Sequence, residues 1–152
     1  MSYYKPCPFC KQPVLHYKNP VPTVDIIIFK PPEKIVLIER KNYPHGWALP
    51  GGFIDYNERA EHAAAREARE ETGLDVVLTG LLGVYSHPDR DPRSHTMSVV
   101  YMAYALNPEE FTAGDDAVNA GFFSWHDLPD LAFDHSKIIR DFISFQNQLG
   151  YS

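Results

Sequence analysis

GGFIDYNERAEHAAAREAREETGL, residues Gly51–Leu74, joins a glycine pair to a helical pattern crowded with acid. Glu67, Glu70 and Glu71 are spaced i, i+3, i+4, so their carboxylates share one helical face. Each like-charge pair costs about 0.2–0.5 kcal/mol, and the helix macrodipole disfavours acid near a C-terminus. A divalent cation would reverse that penalty, because Mg²⁺ prefers carboxylate oxygen. The alternative is a solvated face balanced by the helix's own arginines.

The glycine pair favours the metal interpretation. Gly51 and Gly52 form a backbone that can turn tightly and present a carbonyl beside the helix. The helix is predicted over residues 58–72, with Asn57 as its N-cap and Gly73 as its C-terminal glycine. Two elements are therefore expected to converge on one oxygen-rich site.

Other segments predict one mixed sheet with helices on both of its faces, an α/β architecture. The β-branched runs and turns give the predicted strands, and an apolar stripe gives a final helix with Asp134 as a candidate cap. The strands are predicted at 24–29, 35–39, within 75–86, at 97–106 and near 122–125, and the last helix at 136–149.

Composition excludes several classes of function. The chain has 152 residues, 44% of them hydrophobic and 22% charged, which is typical of a globular domain. The net charge of −6 disfavours a nucleic-acid polymer as partner, because such surfaces are basic. No apolar stretch is long enough to span a membrane, and no secretion signal is visible at the N-terminus. The expected location is the cytoplasm.

The stretch from Gly52 to Leu74 resembles the Nudix box, the signature of the Nudix hydrolase family. All seven specified identities match, and the two variable apolar positions are apolar here. The matching identities are Gly52, Glu58, Arg66, Glu67, Glu70, Glu71 and Gly73. At about 7% per residue type, seven matches at fixed spacing are expected by chance roughly once in 10⁸ starting positions.

The resemblance implies a Nudix α/β/α sandwich over residues 21–152 and metal-dependent hydrolysis of a nucleoside diphosphate derivative. It implies Mg²⁺ or Mn²⁺ held mainly by Glu70 and Glu71, with the Gly51 carbonyl nearby. Glu67 would be a further ligand or the general base. Arg66 would orient the glutamates and pair with Glu58. Members of the family often form homodimers, although no interface can be identified from this sequence.

The loop HPDRDPRSH, residues 87–95, bears on the substrate. Its Pro88, together with the segments WALPGGF (47–53), AGDDA (113–117) and AFDH (132–135), resembles the ADP-ribose pyrophosphatase branch of the family. Arg90 and Arg93 are candidates to clamp phosphate or the terminal ribose, because a guanidinium binds oxyanions bidentately. A solvated loop of Arg–Asp pairs is the alternative. Arg40, at a strand end, is a further candidate for phosphate contact.

An acidic loop after the fifth strand is the second candidate source of the general base. Several relatives use a glutamate there, and this chain has Glu109, Glu110, Asp115 and Asp116 in that region. Asp116 is our choice, and an exposed acidic loop without a catalytic role is the alternative.

Residues 1–20 form a separate segment, predicted to be irregular, which contains Cys7-Pro-Phe-Cys10. This pair resembles half of the zinc ribbon found in some Nudix relatives. A structural zinc needs four ligands, and the second cysteine pair is missing. Free thiols are therefore favoured over zinc.

The resemblance implies a small-molecule nucleotide substrate, with ADP-ribose cleaved to AMP and ribose 5-phosphate. Two alternatives stay open. One is a pyrophosphohydrolase acting on modified nucleoside triphosphates, and the other is a non-catalytic module that senses ADP-ribose.

Overall fold

A computed structural model describes residues 1–112 and 117–148, which form nine strands, two α-helices and one short 3₁₀ turn. The strands are β1 Ser2–Pro6, β2 Pro13–Tyr17, β3 Val21–Lys30, β4 Lys34–Arg40, β5 Gly46–Ala48, β6 Gly51–Phe53, β7 Val76–Tyr85, β8 Thr96–Ala105 and β9 Ala117–Ser124. The helices are α1 Ala60–Thr72 and α2 His135–Gln148, with a 3₁₀ turn at Pro108–Glu110.

The main sheet is mixed, as predicted, and β3 lies at its centre. Strand β3 runs parallel to β8 and antiparallel to β4 and β6. Strand β4 pairs in turn with β5 and β9, and β8 pairs with β7 at the edge. The pairing of β3 with β6 places the glycine pair beside the central strand.

Alternate residues of β3 pack against different helices, because successive strand residues point to opposite faces. Ile26 and Ile28 belong to a core cluster with the alanines of α1, whereas Ile27 belongs to one with the apolar stripe of α2. The helix residues in these clusters are Ala63, Ala64 and Ala68 on one side and Ile138, Ile139 and Phe142 on the other. The predicted α/β/α sandwich is therefore confirmed.

Helix α1 ends as predicted but begins later. Gly73 has φ 69° and its N–H donates to Arg69 O, which is the expected left-handed C-terminal turn. The predicted Asn57 cap is wrong, since the residue before the helix is Arg59. Asn57 itself has φ 66°, and it lies in a turn in which the Glu58 N–H donates to Asp55 O. Glu58 thus precedes the helix.

The first twenty residues are not irregular. Strands β1 and β2 form an antiparallel hairpin in which Ser2 pairs with Tyr17 and Pro6 with Pro13. Both strands of this short hairpin are exposed. The proline and cysteine residues of the segment mask the alternation of polar and apolar residues from which a strand is predicted. The division between residues 1–20 and 21–152 stays a proposal.

The last helix begins one residue before the predicted start, directly after Asp134. The Asp134 carbonyl accepts hydrogen bonds from Lys137 N and Ile138 N, at 2.9 and 3.2 Å. Its carboxylate binds Arg90, so the side chain joins the helix start to the loop that precedes β8. Leu149, predicted as part of the apolar stripe, lies outside the described residues.

Candidate active site

The glycine pair lets the sheet and α1 approach closely. A Cβ on Gly51 would overlap the Val24 carbonyl oxygen and lie 2.8 Å from Asp25 Oδ1. A Cβ on Gly52 would overlap the Glu67 carboxylate. Neither position can therefore hold a side chain without a shift of its neighbour, and the second glycine makes the space that Glu67 occupies.

The box glutamates lie in different environments. Burial raises the pKa of Glu71 to about 8, although its carboxylate accepts a hydrogen bond from Gly51 N at 2.9 Å. Burial also raises the pKa of Glu67, and the neighbouring charge of Glu70 adds to that effect. Glu70 is the most accessible of the three, with its side chain 59% exposed. Two carboxylates are thus buried at an energetic cost that a bound cation would relieve.

Arg66 connects these carboxylates to one another. Its Nε and Nη2 donate to the two oxygens of Glu58 at 2.8 and 2.9 Å, so the expected Arg66–Glu58 pair is present. Its Nη1 donates to Glu67 at 2.8 Å and to Glu70 at 3.1 Å. The hydrogen bonds from Arg66 lower the pKa of Glu58 to about 2. Arg66 fixes α1 to the preceding turn and neutralises part of the acidic face.

The donor set suits a hard divalent cation. The available ligands are carboxylate oxygens beside a glycine backbone, which Mg²⁺ and Mn²⁺ prefer. Within residues 1–112 and 117–148, no three Asp, Glu, His or Cys groups are already arranged to hold a metal. Arg66 engages Glu67 and Glu70, whereas Gly51 N engages Glu71. Each of these contacts uses one carboxylate oxygen of its glutamate, which leaves the other oxygen for a metal.

Glu71, together with Gly51 and Gly52, lines a cavity of about 290 Å³. Lining residues that were not among the predicted substrate contacts include Asp25, Phe133 and His135. The predicted substrate residues Arg40, Arg90 and Arg93 also line it. A box glutamate and three arginines therefore line the same space.

Arg90 is held inside the protein. Its side chain is 4% exposed and donates to both oxygens of Asp134, at 3.1 and 2.8 Å. It also donates to Thr96 at 3.0 Å and to Asp25 at 3.2 Å. The predicted role as a free phosphate clamp does not fit this arrangement, because these partners use four of the five N–H donors of the guanidinium. The geometry makes Arg90 a residue that organises the cavity wall.

Asp25 and His135 form the buried end of this network. The Leu49 N–H donates to His135 Nδ1 at 2.9 Å, which leaves the proton on Nε2, 3.4 Å from Asp25 Oδ1. Burial opposes ionisation of Asp25, but His135, Arg90 and Ser98 outweigh it and lower its pKa to about 2. Asp25 could have been identified from the sequence, because it is a single acidic residue within a predicted strand rich in β-branched residues.

Arg40 and Arg93 are less buried than Arg90, since Arg40 is half-buried and Arg93 is exposed. The Arg40 Nε donates to Pro44 O at 2.8 Å. Arg93 forms a two-point ion pair with Asp91, at 3.0 and 2.7 Å, and its side chain is 39% exposed. Both remain candidates for substrate contact.

Two further predictions concern the acidic loop and the cysteine pair. Asp116 falls outside the described residues, as do Ala113, Gly114 and Asp115. Cys7 and Cys10 lie at the turn of the N-terminal hairpin as free cysteines. Backbone N–H groups of Cys10 and Phe9 lower the pKa of Cys7. In the described part of the chain, no third ligand completes a zinc site with them.

A model of the NUDIX domain family matches residues 19–142, so the chain belongs to that family. It is 50% identical over 133 residues to an ADP-ribose pyrophosphatase from Methanocaldococcus jannaschii, covering 86% of this chain and 78% of that protein.

Two solved structures are similar to this chain. A bifunctional NMN adenylyltransferase/ADP ribose pyrophosphatase from Francisella tularensis, complexed with AMP and a Mn ion, is 27% identical with a TM-score of 0.74. The match covers 84% of this chain and 42% of that one. The NUDIX domain of a Shewanella oneidensis protein, complexed with ADP ribose, is 26% identical with a TM-score of 0.74. That match covers 84% of this chain and 89% of the other.

Proposed function

We propose that this protein is an ADP-ribose pyrophosphatase that uses Mg²⁺ or Mn²⁺ and releases AMP and ribose 5-phosphate. The archaeal relative that bears the name ADP-ribose pyrophosphatase supports the substrate, since half of its aligned residues are identical. The Mn ion in the Francisella structure supports a divalent metal.

One observation carries the proposal: Glu71 of the acidic helix face and the arginines Arg40 and Arg93 line the same cavity. A pyrophosphate has negative charge that must be neutralised, and a scissile bond that must be held next to an activated water. Gly51 and Gly52 of the glycine turn also line this space. The pocket can therefore bind both a cation and an anionic ligand.

The metal would be held by Glu70, Glu71 and Glu67, with the Gly51 carbonyl beside them. When bound, it would neutralise phosphate oxygens and lower the pKa of a coordinated water. Arg66 keeps Glu67 in place through its hydrogen bond, and Glu58 holds Arg66 from the other side. Glu67 or Asp116 would accept the proton from the attacking water.

A non-catalytic sensor is the second candidate, because the Shewanella domain was crystallised with ADP ribose. The complete set of box carboxylates in this chain favours catalysis over sensing. Tight binding of ADP-ribose without turnover would support the sensor instead.

The deciding experiment is Mg²⁺-dependent hydrolysis of ADP-ribose, NADH, diadenosine polyphosphates and nucleoside triphosphates, with products identified by mass. We expect ADP-ribose to give the highest kcat/KM, with AMP and ribose 5-phosphate as products. A triphosphate as the preferred substrate would contradict the substrate assignment and leave the metal site standing.

Glu70→Gln tests the metal site. We expect kcat/KM to fall roughly 100-fold or more, because a ligand is lost while the fold is retained. Glu61→Gln is the matched control, since Glu61 lies on the same helix in its first turn. A Glu70→Gln enzyme with a near wild-type rate would contradict the assignment.

The finer expectations about the whole protein are also proposals. No helix among the described residues is long and apolar enough to cross a membrane. We propose a cytoplasmic location with Cys7 and Cys10 as free thiols rather than zinc ligands. A homodimer stays a prediction, which sedimentation of the purified protein would test.

A further inference from the structure

Phe133 has an unusual backbone conformation at the edge of the cavity. Its φ of 58° is in the left-handed region, which a bulky residue rarely adopts and which is energetically costly. Both neighbours in the chain are fixed. The Ala132 N–H donates to Trp47 O at 2.8 Å, and the Asp134 carboxylate binds Arg90. These contacts hold Phe133 in this conformation as part of the cavity wall.

The ring of Phe133 contacts two arginines from different parts of the chain. Arg40 Cζ lies 4.7 Å from the ring centroid and Arg93 Cζ lies 5.4 Å from it. Both distances are within the range of cation–π attraction. One ring therefore holds a guanidinium from the end of β4 and a guanidinium from the loop before β8.

The two guanidiniums repel each other. Burial lowers the pKa of Arg40, and the nearby charge of Arg93 lowers it further. An anion between them would remove this repulsion. In the described part of the chain, neither Nη atom of Arg40 donates a hydrogen bond, so both are available to a ligand.

We propose that Phe133 is a positioning residue for substrate binding. Its ring fixes the guanidiniums of Arg40 and Arg93 at the same cavity, where both bind phosphoryl oxygens of the substrate. The inference rests on the proposed function, because it assumes that a nucleoside diphosphate derivative occupies this cavity. It assigns no chemical step to Phe133, and the expected effect is on binding rather than on catalysis.

Phe133→Ala tests the proposal through the kinetics of ADP-ribose hydrolysis. We expect KM to rise about tenfold with kcat within about threefold of wild type, because binding is lost while the metal site is untouched. Phe133→Tyr, which keeps the ring, should have the wild-type KM. Phe133→Gly should show the same rise in KM as Phe133→Ala. Its Tm should be at least as high as that of Phe133→Ala, because glycine adopts a positive φ without strain.

A double-mutant cycle tests whether Phe133 acts through an arginine. If it does, Arg93→Ala should raise KM less in the Phe133→Ala background than in the wild type. Phe145→Ala is the matched control, because Phe145 lies on α2 outside the cavity lining and is 37% exposed. Its KM should stay at the wild-type value.

Ribose 5-phosphate distinguishes this role from stacking of the adenine base, since it has a phosphate and no base. Phe133→Ala should raise the competitive inhibition constant of ribose 5-phosphate by about the same factor as it raises KM. It should raise the Kd of ribose 5-phosphate, measured by calorimetry, by a similar factor. The proposal would be overturned if Phe133→Ala left KM or the binding of ribose 5-phosphate unchanged. It would also be overturned if the effects of Phe133→Ala and Arg93→Ala on KM simply multiplied in the double variant, because the two residues would then act independently. If wild-type protein does not hydrolyse ADP-ribose, the proposed function fails, and the calorimetric comparison still tests Phe133.

Discussion

At the scale of single residues, Gly51 and Gly52 are excluded from having side chains for two different reasons. Gly51 faces backbone, the carbonyl of Val24, which cannot move without disturbing the central strand. Gly52 faces the end of a flexible side chain, Glu67, which can move. The same substitution should therefore affect stability at one position and catalysis at the other.

We expect Gly52→Ala to fold normally and to lose kcat by roughly 100-fold, because the new methyl displaces the Glu67 carboxylate. Gly51→Ala should cost about 1–3 kcal/mol of unfolding free energy, as overpacking against fixed backbone does. Urea unfolding and steady-state kinetics on both variants measure the contrast. Equal loss of stability in the two would show that the Glu67 side chain cannot move aside.

At the scale of elements, the loop that connects β7 to β8 contains two arginines with different roles. Arg90 fixes the loop to the rest of the fold, whereas Arg93 stays accessible to a ligand. Arg90 reaches the start of α2 and strand β3, whereas Arg93 pairs with Asp91 two residues away. Sequence spacing could identify both as anion-binding candidates. It could not show that one of them finds its partners in distant elements.

Arg90→Ala should cost about 3–5 kcal/mol of unfolding free energy, because it leaves the buried carboxylate of Asp25 without its cation. Arg93→Ala should cost less, about 1–3 kcal/mol, because the Asp91 carboxylate is only 4% exposed but keeps its hydrogen bond from the Arg93 backbone N–H. It should also raise KM for ADP-ribose. Chemical denaturation and kinetics distinguish the two. Comparable stability losses would contradict the division of roles.

The parts that the sequence predicted correctly depend on local pattern. The end of α1 at Gly73 follows from glycine's access to positive φ, and the existence of strand β3 follows from its β-branched run. The start of α1 was missed because Arg66 holds Glu58 outside the helix through a tertiary contact. The network around Asp25 was missed for the same reason, since its members come from distant segments.

At the scale of the whole molecule, Asp25 couples stability to pH. Its carboxylate is held by groups on β8, on α2 and in the loop before β8. Its pKa is lowered from 3.8 to about 2, so the folded state binds its proton less readily than the unfolded chain. The resulting stability is present above pH 3.8 and is lost as the pH falls towards 2.

We expect Asp25→Asn to be less stable than wild type at pH 7 by roughly 3–5 kcal/mol, because it breaks a buried ion pair. The difference should shrink as the pH falls from about 4 to 2, where the wild-type carboxylate also becomes protonated. Thermal unfolding of both proteins across this range measures it. A constant difference would mean that Asp25 stabilises the fold by packing alone.

The parallel pairing of β3 with β8 also affects how the chain is made. Val21 pairs with Thr96 and Ile28 with Ala103, so the central strand has no parallel neighbour until the ribosome has passed Ala105. Contacts between such distant segments slow folding, because a long loop must close before they form. The glycine turn and the acidic helix lie between the two strands. They are thus synthesised before the sheet that positions them is complete. The active site therefore forms only late in the synthesis of the chain.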